Sequence, residues 1–408
     1  MLEIYLTIFF ISVLLIFLGS GVWVGISMIG VSTIGMMMFT SRPVGDAMAT
    51  TMWSMGSSWS LTALPLFVWM GEILFRTKLS ENLFKGLSPW LAKLPGGLIH
   101  VNILGCAIFA AISGSSAATV ATVGKMSIPE LRKRNYPERF LLGTLAGSGT
   151  LGLLIPPSII LIIYGVTVEE SIAKLFIAGI IPGIGLALLF MTYVVIWSLK
   201  NKKIMPLISE DFSFLEKIKK SGQLLPVVLL IFSVIGSIYA GIATATEAAS
   251  LGVLGALVLS YFQKSLNKES FTKSLLGATK TSCMIAFILA GSSFLTLAMA
   301  FTGLPKNLAV FIDTLELSPY MLLLVLTLFY IILGMFLDGI SAVVLTMAII
   351  EPMIRQAGFD MIWFGIYLVI VVEMAQITPP VGFNLFVLQG MAKRDMGFIA
   401  RSAFPLFL

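Results

Sequence analysis

Gly147-Ser148-Gly149-Thr150-Leu151-Gly152-Leu153-Leu154-Ile155-Pro156-Pro157-Ser158 interrupts an apolar run in which a helix would otherwise continue. The two prolines remove two backbone donors and push the residue before them out of the helical region, while Gly147, Gly149 and Gly152 loosen the same stretch. A broken helix is predicted here. In hydrocarbon the backbone groups freed by such a break are tolerated only against protein, ions or a water-filled cavity, so the break is a candidate binding site.

Working outward, the 408 residues are 58% hydrophobic and 11% charged, with a mean hydropathy of +1.01. A soluble globular chain carries about a quarter of its residues as charges, so composition points to a polytopic membrane protein. Apolar stretches of roughly 17 to 25 residues recur, which favours helical spans over the alternating strands of a barrel. The formal charge of +6 then bears on topology; a nucleic-acid partner would need a basic face on a soluble fold, and none is visible.

Cys106 and Cys283 sit in apolar spans without a CxxC, and His100 is the only histidine. This speaks against a disulfide framework or a zinc site, and both cysteines are expected to be small buried hydrophobes. The chain has no Gly-x4-Gly-Lys-Ser/Thr loop, no His/Glu metal pair and no Gly-x-Ser-x-Gly elbow. Neither ATP hydrolysis nor another enzymatic activity is expected. The apolar run from Ile4 lacks a basic leader and a cleavage site, so it reads as a first span.

Further spans are predicted near 22 to 40, 58 to 75, 140 to 165, 174 to 199, 223 to 241, 245 to 263 and 281 to 302. Two regions are too interrupted for a single crossing. Residues 98 to 128 hold two apolar limbs joined by Ser113-Gly114-Ser115-Ser116, and residues 320 to 354 hold two joined by Leu337-Asp338-Gly339-Ile340-Ser341. Both suit re-entrant hairpins with a polar tip at membrane depth. A last segment, 361 to 391, is broken at Ile377-Thr378-Pro379-Pro380. With two hairpins, the loops at 76 to 97, 125 to 139, 200 to 222, 264 to 280 and 393 to 401 share one face. They hold 4, 5, 6, 4 and 3 Lys and Arg, together 22 of the 26. Positive residues stay cytoplasmic, which puts the N-terminus outside.

The same layout contains a repeat. Gly114-Ser115-Ser116-Ala117 and Gly339-Ile340-Ser341-Ala342 are 225 positions apart, and Pro156-Pro157 and Pro379-Pro380 are 223 apart. The two copies have opposite orientation in this topology, the inverted-repeat construction of many secondary transporters. The expected fold class is therefore all-α and polytopic, with inverted-topology repeats, two re-entrant hairpins and two proline-broken helices. The expected divisions are scaffold at 1–57, a first transport unit at 58–173, scaffold and linkers at 174–280, a second unit at 281–391 and the start of a final span at 392–408. Shifting 174–199 by 223 predicts a last span at 397–422, so the chain is expected to stop inside it.

At each tip, free N–H and C=O groups, hydroxyls and helix ends converge. Hard oxygens suit a sodium ion and helix N-termini suit a carboxylate. Candidate sodium ligands are Ser113, Gly114, Ser115, Ser116, Gly147, Thr150 and Pro156 in the first half, and Asp338, Gly339, Ser341, Thr378 and Pro379 in the second. Candidate substrate contacts are Ser116, Pro157, Asp338, Pro380 and Asn384. Asp338 is the sharpest single residue, because a carboxylate at hairpin depth must face ions or a cavity rather than lipid. Glu373 carries the same suspicion. Thr244 and Glu247 are spaced as a capping box.

Taken together, PLF at 65 to 67 with Gly71-Glu72, AAISGSSAATVATVG at 110 to 124, GTLGLLIPPSIILIIYG at 149 to 165, GIATATEAASLG at 241 to 252, LGMFLDGISAVVL at 333 to 345 and TPPVGFNLFV at 378 to 387 resemble the large membrane subunit of TRAP (tripartite ATP-independent periplasmic) transporters. The resemblance covers nearly the whole chain. It implies a sodium-driven elevator with Na+ as coupling ion, a small membrane subunit of the Q type, and a periplasmic substrate-binding protein of the P type that delivers an organic acid. Neither partner is expected within these 408 residues. C4-dicarboxylates, keto acids, sugar acids and sialic acid all remain open as substrates. A stand-alone sodium/dicarboxylate symporter of similar inverted architecture is the alternative.

Overall fold

The structure is a computed structural model that describes residues 2–77, 79–206, 212–222, 224–303 and 318–408. Residues 304 to 317 of the expected second unit, and parts of the expected loops at 76 to 97 and 200 to 222, lie outside the described residues. The described chain is helical, without a strand. α1 (Leu2–Gly19), α2 (Val24–Phe39), α3 (Val44–Gly56), α4 (Ala63–Phe75) and α5 (Leu79–Leu91) lead to the first hairpin, α6 (Ile99–Ser113) and α7 (Ser116–Lys133). The first broken span is α8 (Glu138–Leu154) and α9 (Ile159–Thr167), bent by 40°. Then come α10 (Ile172–Lys200), α11 (Phe214–Ser221), α12 (Leu225–Tyr239), α13 (Ala245–Phe262) and α14 (Lys268–Thr302). The second hairpin is α15 (Pro319–Gly334) and α16 (Gly339–Gln356), the second broken span is α17 (Met361–Gln376) and α18 (Phe383–Ala392), and α19 (Met396–Phe407) closes the described chain.

Among the described residues, by length and composition, α10, α13, α14 and α16 could each cross a membrane alone, and up to seven spans result if each bent pair counts as one. Shorter apolar helices account for most of the rest. α3, α5 and α11 are not predicted from the sequence, because their apolar faces are too short to stand out against the spans. The expected loop at 264 to 280 is another difference: it is already helical from Lys268, where the Asn267 side chain accepts from Ser270 N at 2.8 Å and starts a helix of 35 residues.

Caps explain where the interruptions fall. Gly114 ends α6 in the left-handed region at φ 58°, and Ser115 and Ser158 accept backbone N–H bonds that start α7 and α9. Asp338 and Asp360 do the same for α16 and α17. Thr244 and Glu247 form the predicted capping box on α13.

The repeat is visible in the helix starts. α6, α7, α8, α9 and α10 begin 220, 223, 223, 224 and 224 positions before α15, α16, α17, α18 and α19. The packing is reciprocal: α7 of the first copy lies against α18 of the second, and α16 of the second lies against α9 of the first. The broken spans meet through α8 and α17, and α10 and α19 each pack on the other copy's broken span. Such interleaving buries most of α8 and α9 around the first break, whereas α18 after the second buries Asn384, Leu385, Leu388 and Ala392 and leaves Phe383 and Phe386 exposed. It is held by close backbone approach and a few interhelical hydrogen bonds, the usual means in a bilayer. Asn102 Nδ2 donates to Leu141 O at 3.3 Å, Tyr164 Oη to Met361 O at 2.7 Å and Ser292 Oγ to Val344 O at 2.7 Å. A Cβ on Gly143 would stand 2.1 Å from Ser402 O, so α8 and α19 meet backbone to backbone.

Candidate substrate and ion site

The first hairpin tip and the first break are one piece of structure. Gly114 O accepts from Ile159 N at 3.4 Å, and a Cβ on Gly114 would lie 3.0 Å from Pro157 O. Gly152 brings α8 against the Ser115 carbonyl, and Gly149 accommodates Val120. At the tip, Ser113 Oγ is 2.9 Å from Thr119 Oγ1, which also donates to Ser115 O at 2.8 Å. Hydroxyls and carbonyls, the hard oxygens that a sodium ion requires, are thus concentrated between Ser113 and Thr119. Pro156 and Pro157 are buried beside them.

Gly147 and Thr150 do not belong to this group. Gly147 faces Leu406 of α19, and Thr150, whose hydroxyl donates to Gly147 O at 2.7 Å, lines a separate cavity of about 370 Å³. The reason is helical phase: positions 147 and 150 share one side of α8, and 149 and 152 the side that meets the tip. Glu373 of α17 opens into the same cavity as Thr150, 223 positions later in the chain. Its carboxylate is 2% exposed and neither oxygen has a hydrogen-bond partner.

The second tip is built differently. Asp338 Oδ2 accepts from Ile340 N at 3.1 Å and Ser341 N at 3.2 Å, capping α16. Gly339 seats against Val372, Ile160 and Leu153, so this tip rests on both copies. Of the predicted partners, Thr378 turns its hydroxyl back to Met374 O at 2.7 Å, and the two prolines are exposed. The second break spans 377–382 and is longer than the first at 155–158. Asn384 is fully buried against α8, with Nδ2 donating to Ala146 O at 3.4 Å. Both Pro156-Pro157 and Pro379-Pro380 are cis.

What joins the two copies is a cavity of about 1140 Å³. Gly114, Ser115 and Ser116 of the first tip and Asp338, Gly339 and Ser341 of the second all line it. Asp338 therefore faces a cavity, as its cost in lipid requires. The rest of the wall comes from Trp23 to Ile26, from α14, and from Leu153, Ile159, Gln376 and Phe383 beside the two breaks. Two polar residues here escape the sequence reading. Lys280 falls in a predicted cytoplasmic loop, whereas the structure places it on α14, exposed at the cavity wall. Gln376 leaves a readable signal, an amide beside the second break in a helix whose other strongly polar side chain is Glu373. Cys283 also lines this cavity and is exposed, unlike the buried Cys106 and against the expectation that both are buried.

Comparison with known proteins agrees with this architecture. Residues 11–408 match the family described as tripartite ATP-independent periplasmic transporter, DctM component. The C4-dicarboxylate TRAP transporter large permease protein DctM of Pseudomonas aeruginosa is 33% identical over 360 residues, covering 88% of this chain and 84% of that protein. The 2,3-diketo-L-gulonate TRAP transporter large permease protein YiaN of Escherichia coli (strain K12) is 32% identical over 369 residues, with the same shares. Among solved structures, the YdaH transporter of Alcanivorax borkumensis superposes with a TM-score of 0.62 at 12% identity, covering 88% of this chain and 84% of that one, a likeness of fold. With the family matched over nearly its whole length and the inverted, hairpin-bearing fold in place, this chain belongs to the TRAP transporters as a large membrane permease component.

Proposed function

We propose that the chain carries out sodium-coupled uptake of a small organic acid, delivered by a periplasmic binding protein and passed through a complex with a small membrane subunit. The observation that carries this reading is the single cavity lined by both hairpin tips of an inverted repeat. In this reading sodium binds among Ser113, Gly114, Ser115 and Ser116 with the Pro156-Pro157 break behind them, and among Asp338, Gly339 and Ser341. The acid lies between the tips, against Ser116 and Asp338. Carboxylate is the favoured class because two helix N-termini, at Ser116 and Gly339, open on the cavity. The named substrates of both relatives, a C4-dicarboxylate and a keto sugar acid, support the same class. The units at 58–173 and 281–391 would move together as an elevator against the remaining helices, with the N-terminus outside.

Reconstitution tests it. The chain, its small membrane subunit and the binding protein are placed in liposomes, and accumulation of an acid that the binding protein retains is followed. Accumulation should need an inward sodium gradient and cease when the binding protein is omitted. Equal accumulation without the gradient would sink the sodium coupling, and undiminished uptake without the binding protein would favour the stand-alone symporter.

A further inference from the structure

Among the described residues on the wall of the central cavity, Lys280 is the only cation and Asp338 the only acid. Lys280 makes no ion pair among the described residues, and Asp338 Oδ2 is committed to the N–H groups that start α16. Gln376, on the same wall, is 1% exposed and its Nε2 has no hydrogen-bond partner. An anion entering a cavity that held Asp338 alone would meet a like charge. With Lys280 on the same wall the two side-chain charges balance, and the positive end of α7 tips the wall toward anions, that of α16 being met already by Asp338.

We propose that Lys280 is the anion-receiving residue of this cavity, its ammonium and the Gln376 amide together holding a carboxylate or similar oxyanion group between the tips. The proposal rests on the reading of the chain as an organic-acid permease. It adds a specificity-determining side chain from α14, outside both hairpins and both proline breaks. A lysine suits this role because it is a compact point charge on a flexible stem, without the fixed fork of arginine, and so accepts acids of different shape.

Cys283 supplies the test. It is exposed to the same cavity, three positions along α14 from Lys280 and so on the same helix face. In open membrane fragments containing the full chain, its modification rate is measured with an anionic reagent, sulfonatoethyl methanethiosulfonate, and a cationic one, trimethylammonioethyl methanethiosulfonate. The intrinsic reactivity of the thiol cancels in the ratio of the two rates, and dividing every ratio by the one that the same reagents give with free 2-mercaptoethanol removes the reagents' own difference, which leaves the local field. On this normalised scale the wild-type chain should favour the anionic reagent. Lys280→Gln should lower the anionic-to-cationic ratio about tenfold, the effect of removing one unit charge ~6 Å away in a well-solvated site. Lys280→Met, which keeps the apolar stem, should lower it equally, and Lys280→Arg should hold it within about twofold. Cys283→Ser is the labelling control. A ratio unchanged by Lys280→Gln and Lys280→Met, or a wild-type preference for the cationic reagent, overturns the proposal. Charge preference without acid uptake by the assembled transporter counts against the proposed function and leaves the subsite standing.

Discussion

Gly152 faces the Ser115 carbonyl so closely that a Cβ at position 152 would stand 2.6 Å from its oxygen. The contact joins the first broken span to the first hairpin tip, two features that lie far apart along the chain. It also fixes why position 152 is a glycine. The obstacle is backbone, which cannot swing aside as a side chain would.

Gly152→Ala should therefore wedge the tip away from α8. A cost of about 1–3 kcal/mol is expected for overpacking of this kind, seen as a lower thermal midpoint in detergent together with lost uptake. Gly185→Ala is the control, since a Cβ there meets nothing within 4 Å; the gain in helix propensity should make it neutral or stabilising. Equal behaviour of the two variants would show that the tip contact is unimportant.

Asp338 has two roles that substitution can separate. Asparagine keeps the N-cap, whereas alanine loses it at a cost of about 0.5–2 kcal/mol. Asp338→Asn should keep the thermal midpoint near that of the parent while raising the sodium concentration for half-maximal uptake about tenfold, the loss of one charge-assisted contact of roughly 1.4 kcal/mol. An unchanged sodium requirement would reduce Asp338 to a cap.

Ser116 is buried at the mouth of α7 and lines the same cavity. Ser116→Ala should fold normally and weaken sodium dependence several-fold, with one hydroxyl ligand removed. Loss of folded protein with normal coupling in what remains would assign the serine to packing instead.

Glu373 is buried without a partner for either carboxylate oxygen, and a structure retains such a group against its own stability. Glu373→Met should raise the thermal midpoint while lowering uptake at least tenfold. A destabilised variant with full uptake would mean that the carboxylate is a structural element after all.

Glu247 caps α13: Thr244 N donates to its Oε2 at 2.8 Å, and Glu247 N donates to Thr244 Oγ1 at 3.3 Å. Glu247→Ala should cost about 1 kcal/mol of stability and leave the sodium dependence and substrate affinity of uptake unaltered. A shift in either kinetic value would bring this residue into the transport path.

Much of the site is legible from residue type alone. Ser113 to Ser116 and Asp338 to Ser341 stand out because small and polar residues at membrane depth are costly unless they serve a tip. Gly147 and Thr150 are misplaced from sequence because proximity along a helix says nothing of which side faces a neighbour. Thr378 to Pro380 are not among the residues that line the cavity; the copies diverge here, the second break being two residues longer than the first and its prolines exposed. Lys280 is hidden by a rule that is correct in aggregate. Basic residues crowd one face, yet a single lysine among 22 can sit on a helix and line a cavity.

The sequence by itself determined that this chain is a helical membrane protein of two inverted copies, where its helices break, and the family it resembles, because hydropathy, proline and glycine act locally on the backbone. Tertiary structure decided what the breaks meet. The packing of α8 on α17, of α7 on α18 and of α16 on α9 consists of long-range contacts between copies. Together with the packing of α14 on α16 they bring Ser116, Asp338, Gln376 and Lys280 to one cavity, since the depth and facing of each side chain depend on how helices far apart in sequence pack, and no local pattern records that.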